Sequence, residues 1–167
     1  MNLNDIPKSE AVLLDANILV YGVLLKSDQC VRLLRRCADR DVIGVVGLQQ
    51  FAEVMHRLMM VEARENAWTS GGNPVKALSE RPERVRGMTR YADAIKGLLA
   101  SGFSFEPVIK EDFFSALSIQ RQYGLLTNDA LFIATAERLR IQAIASADKS
   151  FASVRGVILY SPDDLEA

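Results

Sequence analysis

Four acidic residues stand where the chain passes from one element to the next, and their type and placement suit one kind of chemistry. Asp15 ends the apolar run Ala11 to Leu14, and Glu53 lies on a helix that follows a second apolar run. Asp129 begins a helix in Leu126-Thr127-Asn128-Asp129-Ala130-Leu131, and Asp148 follows a further apolar run in Ala145-Ser146-Ala147-Asp148. In open α/β sheets, ligand sites lie outside the carboxyl ends of the strands. If these four ends share one sheet edge, three or four carboxylates meet there. Carboxylates gathered in a cleft raise one another's pKa, and a cation is what sustains the arrangement. All-oxygen ligation selects a hard ion, Mg²⁺ or Mn²⁺. One or two such ions activate water and stabilise charge on a phosphodiester under attack.

Each acid also has an ordinary structural use. Asp15 can close a turn beside an Asn17 N-cap, Asp129 can favour the helix dipole beside a Thr127 cap, and Asp148 can sit in an Asx turn. Glu53 points away from the stripe Leu48, Phe51, Ala52, Met55, Leu58 and Met59, and can pair with Arg57 at i, i+4 on a solvated face.

The elements that must position these acids follow from hydrophobic periodicity. Ala11 to Leu14 is an unbroken apolar run, as in a strand buried on both faces, and a helix is expected from Asn17 or Ile18. Cys30, Val31, Leu34, Cys37 and Ala38 recur at helical spacing opposite Arg32, Arg35, Arg36 and Arg40. Val42 to Val46 is a second strand, followed by the helix that carries Glu53. From Val61 to Gly102 the pattern loosens into a charged, mostly helical insertion, broken at Gly71-Gly72-Asn73-Pro74 and at Pro82. Phe103 to Val108 is a short strand, and Lys110 to Tyr123 is a helix ended by Gly124. A helix from Thr127 to about Arg140 is apolar all round at Ala130 to Ala134, and Ile141 to Ala145 and Val157 to Tyr160 are the last strands. Strands alternating with helices predict an α/β fold with a mostly parallel sheet.

With these residues in place the chain resembles a family, the PIN-domain nucleases, and among them the VapC-type toxin ribonucleases of toxin–antitoxin pairs. The resemblance rests on Leu14-Asp15-Ala16-Asn17, Glu53-Val54, Leu126-Thr127-Asn128-Asp129-Ala130-Leu131-Phe132-Ile133-Ala134 and Ser146-Ala147-Asp148-Lys149-Ser150-Phe151. It implies a three-layer α/β/α sandwich, here with a helical insertion at about 61–102. It implies that Asp15, Glu53, Asp129 and Asp148 form an acidic pocket, with Asp15, Asp129 and Asp148 binding Mg²⁺ or Mn²⁺. Asn17, Ser146 and Thr127 become polar supports. It further implies cleavage of RNA, a homodimer, and a small antitoxin protein as partner.

Composition fits this expectation. The 167 residues are 49% hydrophobic, 25% charged and 7% aromatic, as in one globular domain spanning 1–167. The N-terminal stretch lacks a signal-peptide pattern and no apolar run approaches a membrane span, so a cytoplasmic protein with no membrane partner is expected. Cys30 and Cys37 stand about 10 Å apart on one predicted helix, beyond the roughly 7 Å of a disulfide, and read as buried thiols. The net charge of −1 does not by itself point to nucleic acid, but setting the four acids aside leaves a positive remainder. Within the insertion, Arg64, Lys76, Arg81, Arg84, Arg86, Arg90 and Lys96 face Glu65, Glu80, Glu83 and Asp93, a cationic surface suited to a phosphate backbone. Trp68, in a loop-like setting, suits base stacking or packing of the insertion. Glu53 and His56 spell a single Glu-x-x-His, which as one copy with the sole histidine does not make a di-iron site. Two other readings remain open: a phosphatase or phosphoacceptor domain with Asp15 as nucleophile and Lys149 as its lysine, and a non-catalytic PIN-like interaction subunit.

Overall fold

A computed structural model describes residues 1–69 and 73–165. Its elements run β1 (Ala11–Leu14), α1 (Ala16–Val23), α2 (Asp28–Ala38), β2 (Ile43–Gly47), α3 (Leu48–Glu65), α4 (Pro74–Ser79), α5 (Pro82–Gly87) and α6 (Arg90–Ala100). These are followed by β3 (Ser104–Glu106), α7 (Lys110–Tyr123), α8 (Thr127–Leu139), β4 (Ala143–Ala145) and β5 (Ile158–Tyr160). The strands form one parallel sheet in the order β3-β2-β1-β4-β5.

Alternation along the strands divides the interior into two cores. Val12, Leu14, Val46, Ala143 and Ala145 face one side with α1, α2, α3 and α6, whereas Leu13, Val45 and Ile144 face the other with α7 and α8. The result is the α/β/α sandwich that the family resemblance implies, built on the parallel sheet that the strand–helix alternation predicts. Gly44 on β2 lets α2 approach, because a Cβ there would stand 2.8 Å from both Cys37 Sγ and the Phe103 ring. Gly124 ends α7 at φ 71°, a left-handed conformation that glycine adopts without penalty.

Helix α3 differs in detail from its predicted stripe. Phe51, Val54 and Leu58 are buried, but Leu48, Ala52 and Met55 are exposed, because the helix turns Gln50 and Glu62 inward instead. Glu62 is 5% exposed and accepts backbone hydrogen bonds from Thr89, Arg90 and Tyr91 at 3.0, 3.3 and 2.8 Å. It thereby serves from outside as the cap of α6, whose own Thr89 makes no side-chain cap bond. Helix α6 joins the principal core through Ile95 and Leu98, while α4 and α5 stand over the far end of α3 in a small cluster of Met60, Ala63, Leu78 and Met88. Trp68 packs at the edge of that cluster, with Arg84 bonded to its carbonyl at 2.8 Å and lying 5.8 Å from its ring centroid. The expected break at Gly71-Gly72 lies outside the described residues.

On the opposite face, Asp112 is buried, accepts the Ile109 amide at 2.9 Å and pairs with Arg138 at 2.9 Å, which joins α7 to α8. Cys30 and Cys37 are buried free thiols, which burial pushes up to about 11 and about 12. Among the described residues no helix is long and apolar enough to cross a membrane.

Candidate active site

The sheet order dictates where a cleft forms. The chain leaves β1 toward β2 on one side and reaches β4 and β5 on the other, so the strand order reverses between β1 and β4. Beyond the carboxyl ends of these two strands the connections diverge and leave a crevice. Asp15 is the first residue after β1, and Ser146 is the first after β4.

A hydrogen-bonded network closes the floor of this crevice. Ser146 Oγ donates to Asp15 Oδ2 at 2.5 Å, and Asn17 Nδ2 donates to the same oxygen at 2.5 Å and to Ser146 Oγ at 3.2 Å. Asn17 Oδ1 accepts the Ala147 amide at 3.0 Å, and Ser146 Oγ accepts the Asp148 amide at 3.0 Å. Ser146 is fully buried, and its hydroxyl places the Asp15 carboxylate and the start of the loop that carries Asp148. Asp148 itself is exposed and caps the following 3-10 turn, with Oδ1 accepting the Ser150 amide at 2.8 Å. The Asx-turn use foreseen for it is therefore realised.

The acids sense one another. Burial holds the Asp15 carboxyl above its ordinary range, the Ser146 hydroxyl and the Ala16 amide oppose that shift, and the charges of Glu53 and Asp129 add to it. Burial likewise raises Asp129, followed by the charges of Asp148 and Glu53. All four acids thus contribute to one electrostatic environment. They interact without converging on a point, since no three acidic, histidine or cysteine side chains among the described residues are placed to hold an ion together. The donor set nonetheless fits a hard divalent cation. It consists of carboxylate oxygens, two of whose owners are held above their ordinary pKa by burial and like charge, and a cation relieves both causes.

The remaining predicted residues fall in different places. Glu53 is exposed on α3 and pairs with Arg57 at 3.5 Å, so it carries the ordinary i, i+4 partner while still acting on Asp15 and Asp129. Thr127 is the first residue of α8 and not its cap, and its hydroxyl accepts from Gln120 of α7 at 3.3 Å. His56 and Lys149 are exposed, and Lys149 forms no ion pair among the described residues. One contact was not foreseen: Gln49 Nε2 donates to Asn128 Oδ1 at 2.7 Å, tying the start of α3 to the start of α8. Glu53 lies one turn beyond Gln49, and Asp129 follows Asn128. No local pattern announces a pair made between two helices.

Comparisons with known proteins bear on the fold and the family. The solved structures similar in fold include a toxin–antitoxin complex from Klebsiella pneumoniae, 20% identical, with a TM-score of 0.55 over 88% of this chain and 95% of that one. VapBC2 from Rickettsia felis bound to a DNA fragment from its promoter is 16% identical, with a TM-score of 0.60 over 92% of this chain and 99% of that one. PAE2754 from Pyrobaculum aerophilum is 16% identical, with a TM-score of 0.53 over 95% and 90%. No curated protein matches significantly in sequence. The PIN domain family model matches residues 12–157, a span that runs from β1 to the residue before β5 and takes in all four acids, and the chain therefore belongs to the PIN domain family of nucleases.

Proposed function

We propose that the protein is a Mg²⁺- or Mn²⁺-dependent endoribonuclease and the toxin of a toxin–antitoxin pair, acting in the cytoplasm. The observation that carries the reading is the coupling of four carboxylates at the crevice between β1 and β4, with Asp15 and Asp129 both raised by burial and by their acidic neighbours. Asp15, Asp129 and Asp148 are assigned to hold the ion, and Glu53 to complete the site or orient the attacking water. Ser146 and Asn17 fix the Asp15 carboxylate through Oδ2, and the same two side chains hold the amides of Asp148 and Ala147. A divalent ion bound there supplies an activated water and neutralises charge on the phosphodiester.

The partner assignments rest on coarser grounds. Two of the similar structures are toxin–antitoxin assemblies, which supports a small antitoxin partner. A homodimer is supported by the outer face of α7, where Phe113, Phe114 and Leu117 are 53, 63 and 57% exposed.

The test is cleavage of RNA by purified Asp15→Asn and Asp129→Asn, with Mn²⁺ and with chelator, alongside circular dichroism. Each substitution is expected to lower cleavage by more than the roughly 10–100-fold that outer-shell changes cost at metal sites, with the fold intact. Undiminished cleavage by both variants, or cleavage that ignores chelation, overturns the proposal.

A further inference from the structure

The Glu53–Arg57 pair is the only ion pair that any of the four acids makes among the described residues. Arg57 lies one turn beyond Glu53, about 6 Å along the axis of α3, on the side away from the Gln49–Asn128 contact, and so flanks the group of acids through its pair with Glu53. A phosphate backbone approaching four carboxylates is repelled, so a strand that is to enter needs a fixed cation beside them. Arg57 meets the requirement, since its side chain is 36% exposed and that of its partner Glu53 is 44% exposed. A pair this open to water contributes little to stability and exchanges partners readily. The planar guanidinium also matches a phosphate with two parallel hydrogen bonds, which a carboxylate at 3.5 Å does not engage.

The next turn of α3 gives the strand a direction. Met60, three residues beyond Arg57 on α3, is covered by Leu78 of α4 and by Met88 just after α5. A strand that passes Arg57 therefore meets the α4–α5 segment. There Arg81 and Arg86 are exposed and form no ion pair among the described residues. Glu62, an acid of the same region, is turned inward to the α6 amides and does not offset these cations at the surface.

We infer that Arg57 is a substrate-contact residue that exchanges Glu53 for a backbone phosphate adjoining the one under attack, and that single-stranded RNA leaves the pocket over α3 toward α4–α5. The inference rests on the endoribonuclease reading of the pocket. It is tested by fluorescence anisotropy with a labelled single-stranded RNA and the full chain in EDTA, across a series of KCl concentrations, and by steady-state cleavage with Mn²⁺. Arg57→Ala is expected to weaken binding about 3–10-fold and to reduce the slope of log K against log salt by about 0.7, the loss of one single-strand phosphate contact. It should also raise KM more than it lowers kcat. Arg57→Lys should restore the slope, because the charge returns without the fork. Arg81→Ala combined with Arg86→Ala should reduce the slope further. If the wild-type protein cleaves RNA and Arg57→Ala keeps the wild-type slope and KM, the inference fails and the nuclease reading stands. A fall in kcat at unchanged KM also overturns it, since Arg57 then serves only to place Glu53. If the wild-type protein neither binds nor cleaves RNA, both fall.

Discussion

Replacing Glu62 by alanine removes an acceptor that three backbone amides share, and the cost follows from their surroundings. The Tyr91 amide is bonded at 2.8 Å beneath a partly buried side chain, whereas Thr89 and Arg90, bonded at 3.0 and 3.3 Å, are exposed and regain water. A hydrogen bond to a charged acceptor contributes about 1.5–3 kcal/mol when its loss leaves a buried donor unmet. A helix cap open to water contributes about 0.5–2 kcal/mol. Together these give about 3 kcal/mol for Glu62→Ala, or a fall in Tm of about 6–12 °C for a domain of this size. Glu62→Gln keeps one acceptor oxygen but turns an NH₂ toward an amide donor, which costs about 2 kcal/mol. Arg90→Ala is the control. Its Nε stands 4.0 Å from Glu62 and its Nη1 pairs with Glu65 at 2.7 Å on a side chain 60% exposed, so the expected loss is that of exposed ion pairs, under about 1 kcal/mol. Burial raises Glu62, but the amides of Tyr91, Thr89 and Arg90 and the Arg90 charge outweigh it and hold the carboxyl below the ordinary glutamate value. Its contribution is therefore present at neutral pH and lost as pH falls through the folded value, so the gap between wild type and Glu62→Ala should close in acid. Urea and thermal melts, with hydrogen exchange at residues 89–91, measure all of this. A loss from Glu62→Ala no larger than that from Arg90→Ala would refute the reasoning.

Two other outcomes are expected. Asp15 and Asp129 are raised in the folded state, so the native protein binds their protons more tightly than the unfolded chain and loses stability as pH rises from the ordinary value of 3.8 through the folded values. The Tm of Asp15→Asn/Asp129→Asn minus that of wild type, both in chelator, should grow over this window, and a difference independent of pH contradicts the assignment. Phe114→Glu places a charge in the exposed face of α7, and light scattering should show a dimeric wild type become monomeric; an unchanged mass removes α7 from the interface.

The positions of Asp15 and Asp148 in the fold were legible because each follows an apolar run that forms a strand. A wholly apolar strand such as Ala11 to Leu14 is buried on both faces in the folded sheet, and the residue that follows must emerge at its edge. The α8 segment Ala130 to Ala134 was equally plain, being buried throughout. Helix α3 was not, because its buried face includes Gln50 and Glu62, which a hydrophobic count assigns to solvent. A carboxylate facing three amides of a helix that starts 28 residues later leaves no local pattern. The same holds for Gln49 and Asn128, and for the support that Ser146 gives Asp15 from 131 residues away. Sequence reasoning reached what one element decides alone, and missed what two elements decide on meeting.

That distinction bears on how the pocket and the fold depend on each other. Asn17 and Ser146 bond to the Asp15 carboxylate, but they also bond to the amides of Ala147 and Asp148, so they stitch the start of α1 to the exit of β4. Strand β1 already pairs with β4 up to Leu14 and Ala145, and the network continues that pairing past the last strand residues. Forming the crevice and completing the sheet are thus one event. Asp15 is the member whose charge the fold does not require. Both of its donors, the Ser146 hydroxyl and the Asn17 amide, can be met by the carbonyl oxygen of an asparagine, and the substitution also removes the repulsion from Glu53 and Asp129. Alanine at Ser146, by contrast, strands the Asp148 amide and frees Asp15 to turn. The charge at position 15 therefore costs the metal-free fold stability, a cost that a cation bound as proposed would relieve.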